Sequence, residues 1–281
     1  MSKSENCIFK NINMINQNFN HDMFEALMFN LYKNIMFSTF PYITYKKSTS
    51  LSSLHCFNSG NCIAMCHFIK IYLKRNFNIT SFIIPASVPR DCKVIGTPHL
   101  SHCAILIPIS LHEFCIFDGS LFFMEPMYCN LKDNKTRTIK LSSIYEHTLL
   151  DVQYVIRDCT ENIRLDTQFN QTIIKNSLCI HCNYANDRSD VWNYYLNEIQ
   201  NPDDNIGYSY ILNKPQPFLL YTEYDKCKCN LKYKILLEED GNIRVKKYPG
   251  GKTVFYGNTF EFKNNTLSKP FKRYLSRDMI V

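Results

Sequence analysis

Apolar residues recur along this chain with two periods, and the period changes from helical to strand-like as the chain proceeds. Near the start, Phe24, Leu27, Met28, Leu31, Ile35 and Met36 fall at three- and four-residue steps. This predicts a helix over Asn20 to Ser38 that starts at Asn20 or His21-Asp22 and is ended by Pro41. Residues 42–58 read as a loop, Ser-rich from Ser48 to Ser59, with a short strand at Tyr42–Tyr45. A second stripe, Cys62, Met65, Cys66, Ile69, Tyr72 and Leu73, leaves Lys70, Lys74 and Arg75 mostly off it and predicts an amphipathic helix. Ser59 or Asn61 can supply its N-cap oxygen.

Past a turn at Asn76 to Asn78, short apolar runs predict strands at Ile79–Pro85, His102–Ile107, Phe114–Asp118, Leu121–Met124, Thr136–Leu141 and His147–Ile156. Pro85 to Pro98 is an irregular loop. Trp192, Tyr195, Leu196 and Ile199 predict one short helix, followed by a loop at Asn201–Asn205. Five strands then follow: Tyr208–Leu212, Phe218–Tyr224, Leu231–Leu237, Ile243–Tyr248 and Val254–Phe262. Asp240-Gly241 and Pro249-Gly250-Gly251 supply hairpin turns. Helices early and strands late make this an α+β chain with a strand-rich second half. A soft boundary near residue 160 divides residues 1–160 from 161–281, and one domain fits the length equally well.

Composition narrows the class. With 45% hydrophobic and 14% aromatic residues the chain is globular, and no segment has the eighteen-odd uncharged apolar residues of a membrane span. The opening Met1-Ser2-Lys3-Ser4-Glu5-Asn6 lacks an apolar signal core. The thirteen cysteines are scattered and odd in number, which predicts reduced thiols in a cytosol-like compartment. The heavy use of Asn, Ile and Lys fits an AT-rich genome such as that of a large DNA virus or a protist. The net charge of +7 comes from dispersed basic residues, which reads as a solvated surface with no specific nucleic-acid partner. Gly251-Lys252-Thr253 is not a phosphate loop, because Lys246 stands where the earlier Gly is required. Cys179 and Cys182, with Cys227 and Cys229, give an alternative zinc set, though the second pair is spaced more tightly than a zinc ribbon.

The candidate chemistry lies on the second stripe and the hairpin after it. Cys62 sits in the first helical turn, where free backbone N–H groups and the helix dipole favour a thiolate. With the hairpin loop centred on Ser110, Leu106 faces Phe114, Ala104 faces Ile116 and His102 faces Asp118, all on one face of the sheet. Directly opposed residues have Cβ atoms roughly 5 Å apart, within reach of an imidazole–carboxylate hydrogen bond. Cys62, His102 and Asp118 thus supply a nucleophile, a base and a group that orients the base. His99 is the rival histidine; three residues from His102, it faces the other side of a strand. Arg90, in the loop before the hairpin, is a candidate for substrate contact.

Gly60-Asn61-Cys62, the strand ending Phe82-Ile83-Ile84-Pro85, His102 opening an apolar strand, and Ile116-Phe117-Asp118-Gly119 resemble the transglutaminase-like (papain-like) cysteine superfamily, and within it the arylamine N-acetyltransferases most closely. The likeness covers about residues 55–130 and is only suggestive beyond. It departs at the lead to the cysteine, where Asn58-Ser59-Gly60-Asn61 stands in place of the family's Arg-Gly-Gly, and no stretch is assignable as a coenzyme A site. The resemblance implies N-terminal helices with the Cys-bearing helix packed on an antiparallel β-sheet or barrel. It also implies cysteine-dependent acyl transfer through an acyl-enzyme on Cys62. No permanently bound cofactor follows; acetyl-CoA or another acyl thioester would be co-substrate, and a small-molecule amine the acceptor. A cysteine peptidase or transglutaminase-type enzyme acting on a peptide would use the same triad. A non-catalytic structural module, a virion component if the source is viral, is the reading from a different class.

Overall fold

A computed structural model describes residues 16, 18–44, 49–92, 101–159, 163–165, 172–174, 178–199, 202 and 216–275. His99, the strand at Tyr208–Leu212 and most of the Asn201–Asn205 loop lie outside the described residues. The N-terminal part holds helix α1 (His21–Asn34), strand β1 (Met36–Ser38), helices α2 (Phe40–Thr44) and α3 (Ser50–Phe57), strand β2 (Ser59–Gly60) and helix α4 (Cys62–Phe77). Strands β3 (Phe82–Ala86), β4 (His102–Pro108), β5 (Glu113–Phe117), β6 (Met127–Asn130), β7 (Arg137–Ser143) and β8 (Thr148–Asp158) follow. After the paired strands β9 (Ile163–Leu165) and β10 (Thr172–Ile174) come β11 (Leu178–Tyr184), β12 (Val191–Tyr195), β13 (Phe218–Tyr224), β14 (Cys229–Leu237), β15 (Ile243–Lys247) and β16 (Lys252–Gly257). Helix α5 (Thr259–Asn264) is followed by a 3-10 helix at Thr266–Phe271.

Two large sheets organise these elements. One has eight strands in the order β6-β5-β4-β3-β12-β11-β8-β7, and a bridge from Phe123 to Leu141 draws its two ends together toward a barrel. The other has six, in the order β16-β15-β14-β13-β1-β2. Each sheet takes strands from both sides of residue 160. Helices α1 and α4 pack on each other, α4 also on β4 and α1 also on β13. The main core joins them to the eight-stranded sheet, with Phe24 of α1 set edge-on to Phe117 of β5 at 4.8 Å, a contact worth on the order of 1 kcal/mol beyond its area. A second core lies under the six-stranded sheet, where Leu219, Ile235 and Val245 meet Phe262 and Phe271.

Several sequence expectations are corrected. The first helix stops at Asn34, and residues 36–38 form β1 because the chain finds backbone partners on both sides. Met36 and Phe37 pair in parallel with Ser59 and Gly60, and Phe37 and Ser38 antiparallel with Leu220 and Leu219. Pro41 lies in the first turn of α2, where its missing N–H is no loss, so Tyr42 begins no strand. The Ser-rich loop contains helix α3, capped by the Thr49 side chain accepting from Ser52 N–H. Leu121–Met124 is a turn with a single bridge at Phe123, and the strand comes later, at Met127. Trp192 opens no helix: Val191–Tyr195 is β12, with Trp192 and Tyr194 both buried on alternate positions. The final predicted strand divides at Gly257; Asn258 then caps α5 in a reciprocal box with Glu261.

The hairpin register is also corrected. The loop runs Ile109–His112, with Ile109 and Ser110 N–H both donating to the Glu113 carbonyl. Leu106 therefore pairs with Ile116 and Pro108 with Phe114, two residues away from the expected register. A shift of two keeps every side chain on its expected face. It makes His102 and Asp118 diagonal neighbours and not directly opposed ones.

Candidate active site

The lead to α4 is held from several directions. Gly60 lies where any Cβ would come 2.4 Å from Ala64 Cβ and 2.8 Å from the Tyr42 hydroxyl, so only glycine fits. The Ser59 carbonyl accepts from Ser53 Oγ at 2.5 Å, and Ser59 Oγ donates to the Tyr274 carbonyl near the other end of the chain. Asn61 is the N-cap: its Oδ1 accepts from Ile63 N–H and Ala64 N–H at 3.1 and 3.2 Å, and from the Tyr42 hydroxyl at 2.9 Å. Asn61 N–H in turn donates to that hydroxyl. Cys62, the next residue, is thereby fixed in the first turn of a sixteen-residue helix and is only 3% exposed.

His102 is the first residue of β4 and pairs with Ala86. Asp118 is the first residue past β5, where Gly119 allows a close approach of Leu31 from α1; a Cβ there would lie 2.6 Å from Leu31 Cδ2. His102 Nε2 donates to Asp118 Oδ2 at 2.6 Å, and both side chains are buried. Asp118 Oδ1 accepts from Ser120 N–H, Ser120 Oγ and Leu121 N–H. With Asp118 on Nε2, the other ring nitrogen is left for the Cys62 sulfur, whose ionisation His102 favours.

Electrostatics agree with this geometry. The Cys62 thiol is brought down to about 5, first by hydrogen bonding with the Cys103 thiol, against the opposing effect of burial, and then by the hydrogen bond and charge of His102. Burial alone would lower His102, but the charge and hydrogen bond of Asp118, with those of Cys62, hold its imidazole well above the ordinary value. Burial likewise opposes ionisation of Asp118, and the His102 charge, with hydrogen bonds from His102, Tyr194 and Leu121, keeps its carboxyl below the ordinary value. All three directions favour one state: thiolate, imidazolium and carboxylate in a row. Cys66 and Cys103 are moved the other way, up, by burial.

Tyr194 belongs to the site and was missed in the sequence. Its hydroxyl donates to Asp118 Oδ2 at 2.8 Å and accepts from Trp192 Nε1 at 3.2 Å. Tyr194 pairs with Ala86 across β12 and β3, and Ala86 with His102, so the three share a face. A helical reading of residues 192–199 hid this; the alternation of Trp192 and Tyr194 was the available signal.

Other predicted residues are placed elsewhere. Arg90 is exposed on a 3-10 turn, its N–H donating to Asp190 Oδ1 and its guanidinium to the Ser189 carbonyl, and none of its described hydrogen bonds is to the triad. The four cysteines of the zinc alternative do not assemble. Cys179 and Cys182 lie three apart on β11 and so face opposite sides, while Cys227 and Cys229 lie in and beside β14, a strand of the other sheet. Among the described residues no group of three or more His, Cys, Asp or Glu could hold a metal ion.

No family model matches the chain, and no curated protein does. Solved structures do match. An arylamine N-acetyltransferase from Bacillus cereus, reported with a Cys-His-Glu catalytic triad, superposes over 90% of this chain and 91% of its own, with a TM-score of 0.55 and 12% identity. The arylamine N-acetyltransferase of M. tuberculosis covers 97% of this chain and 95% of its own at a TM-score of 0.53 and 10% identity. That of Mycobacterium marinum in complex with CoA covers 94% and 93% at 0.51 and 11%. At such identities the likeness is one of fold. The chain has the fold of these enzymes over nearly its whole length.

Proposed function

We propose that the protein is a cysteine-dependent acyltransferase that takes an acyl group from a thioester and passes it to an amine. One observation carries the reading: a buried His102–Asp118 pair, 2.6 Å between heavy atoms, set against a low-pKa cysteine at a helix N-terminus. The shared fold with enzymes named arylamine N-acetyltransferases, one of them solved with CoA, supports acetyl-CoA or a similar thioester as donor.

The Cys62 thiolate attacks the thioester carbonyl, and the developing oxyanion is met by the Cys62 N–H, which the Asn61 cap does not take up. Collapse of the intermediate expels the donor thiolate, which takes the proton from the His102 imidazolium, leaving an acyl thioester on Cys62. His102, now neutral, receives a proton from the attacking amine; the amide leaves and the Cys62 thiolate is restored beside imidazolium. Asp118 holds the ring and steadies its charge throughout.

Incubation with acetyl-CoA followed by intact mass and peptide mapping tests this. The expected result is one acetyl adduct on Cys62, absent in Cys62→Ala and discharged by an arylamine such as 4-aminobenzoate. A Cys62 that takes no acyl group from any thioester, and that iodoacetamide does not label at pH 6, would overturn the reading.

A further inference from the structure

Three thiols meet at the reacting sulfur, and acyl transfer uses one of them. Cys62 and Cys66 are one turn apart on α4 and so share a face, the face packed on β4. Cys103 follows His102 on β4, and its sulfur meets Cys66 of α4. Cys66 Sγ and Cys103 Sγ are 3.6 Å apart, and Cys103 also lies near enough to Cys62 to favour its thiolate. All three are buried, at 3%, 3% and 0% exposure. Cys103 thus stands between the other two, in reach of both.

We propose that Cys103 and Cys66 form a thiol relay that rescues Cys62 from oxidation by hydroperoxides, with the disulfide ending between Cys66 and Cys103. It rests on Cys62 being the reactive thiolate of the proposed function. A low-pKa thiolate that reacts with an acyl substrate can also react with a hydroperoxide ROOH. The sulfur attacks the terminal oxygen, the O–O bond breaks, Cys62 becomes a sulfenic acid, and RO⁻ takes a proton to leave as ROH. The Cys103 sulfur then attacks Cys62 Sγ; an S–S bond forms, the S–O bond breaks, and the hydroxide leaves with the Cys103 proton as water. Cys66 attacks Cys103 Sγ across the short gap, the S–S bond moves to Cys66–Cys103, Cys62 departs as thiolate, and the Cys66 proton returns to solvent the one that RO⁻ took up. The peroxide gains two electrons and the two thiols of Cys66 and Cys103 lose them.

The direction of the last step follows from thiol acidity. Of the three, Cys62 is the most acidic and so the best leaving group, while Cys66 and Cys103 are held up by burial. The nucleophile is returned, and the oxidation is stored in a disulfide that an external dithiol reduces. Cys66 and Cys103 therefore act on Cys62 alone and touch no acyl substrate.

The full chain treated with hydrogen peroxide, mapped without reduction and then alkylated at pH 6, tests the relay. Wild type is expected to lose two hydrogens, show a Cys66–Cys103 cross-linked peptide, and keep Cys62 alkylation. Cys66→Ala is expected to stop at a Cys62–Cys103 disulfide, losing alkylation until dithiothreitol restores it. Cys103→Ala is expected to accumulate two or three oxygens on Cys62 and lose alkylation irreversibly, roughly tenfold faster than wild type. The mapping of wild type stands even where a variant fails to fold. A wild type that gains oxygens on Cys62 as fast as Cys103→Ala, with no Cys66–Cys103 peptide, overturns the relay and leaves the acyltransferase reading intact. A Cys62 inert to both iodoacetamide and peroxide overturns both.

Discussion

The Tyr194 hydroxyl and the His102 imidazole meet at one oxygen: Asp118 Oδ2 accepts from the first at 2.8 Å and from the second at 2.6 Å. A residue from β12, far along the chain, therefore helps set the charge state of a carboxylate beside β5. Removing the hydroxyl leaves a buried, ionised acceptor short of one donor, at a cost of about 1–3 kcal/mol. Tyr194→Phe is expected to lower the urea midpoint accordingly and to slow acyl transfer severalfold, with Cys62 and His102 still in place.

The same contact predicts an acid limb. The Asp118 pKa is lower in the folded protein than its ordinary value. Its stabilising contribution is thus present at neutral pH and is lost as the pH falls through the folded value. Tyr194→Phe raises that folded value, so its acid unfolding should begin at a higher pH than in wild type. Circular dichroism across the acid range checks this, and coincident curves would contradict it.

Alkylation of Cys62 should rise with a midpoint near pH 5, far below the ordinary thiol range, because the thiolate is already formed there. The His102 pKa is raised, so the imidazolium persists above its ordinary value and the ion pair spans neutral pH. His102→Ala removes a hydrogen bond and a charge from the thiolate. Its midpoint should move up, and its alkylation at pH 6 should slow by on the order of 10²-fold. Stopped-flow alkylation across pH, with peptide mapping, reads both.

Asn61 separates capping from chemistry. Asn61→Ala removes the acceptor for Ile63 and Ala64 N–H and a partner of the Tyr42 hydroxyl; the loss of such a cap costs about 1–2 kcal/mol. Asn61→Asp keeps the acceptor but puts a negative charge beside the sulfur. The first variant should lose stability; the second should keep more of it while its Cys62 alkylation midpoint rises. Urea unfolding and the alkylation profile distinguish the two.

Gly60→Ala forces a Cβ against Ala64 and the Tyr42 hydroxyl. Overpacking of this kind costs about 1–3 kcal/mol, and it falls two residues before Cys62. Lower stability together with slower Cys62 alkylation is the expected result, measured on the same sample.

How far the sequence revealed this site depends on the range of each interaction. Cys62 at the start of α4 was legible because the apolar stripe and the cap are local. His102 and Asp118 were legible because strand faces alternate, and that alternation survived a two-residue error in register. What decided the register was the Ile109–His112 loop, whose hydrogen bonds no periodicity announces. Strand β1 was read as helix because three residues become a strand only through partners at 59–60 and 219–220. Tyr194 was missed for a related reason: Trp192 to Ile199 fits a helical stripe as well as a strand, and its pairing with β11 and with Ala86 decides.

The short strand β1 also orders events during synthesis. It carries β2, the two residues that lead into Cys62, on one edge and is itself held by β13 on the other. Ser59 is further tied to the Tyr274 carbonyl. A chain growing from its N-terminus has made the nucleophile, its base and its carboxylate well before these two late partners exist. The seat of Cys62 is completed only once Tyr274 has been made, so chains that stop before it carry the cysteine without its fixed setting, and such truncated products should alkylate slowly at Cys62.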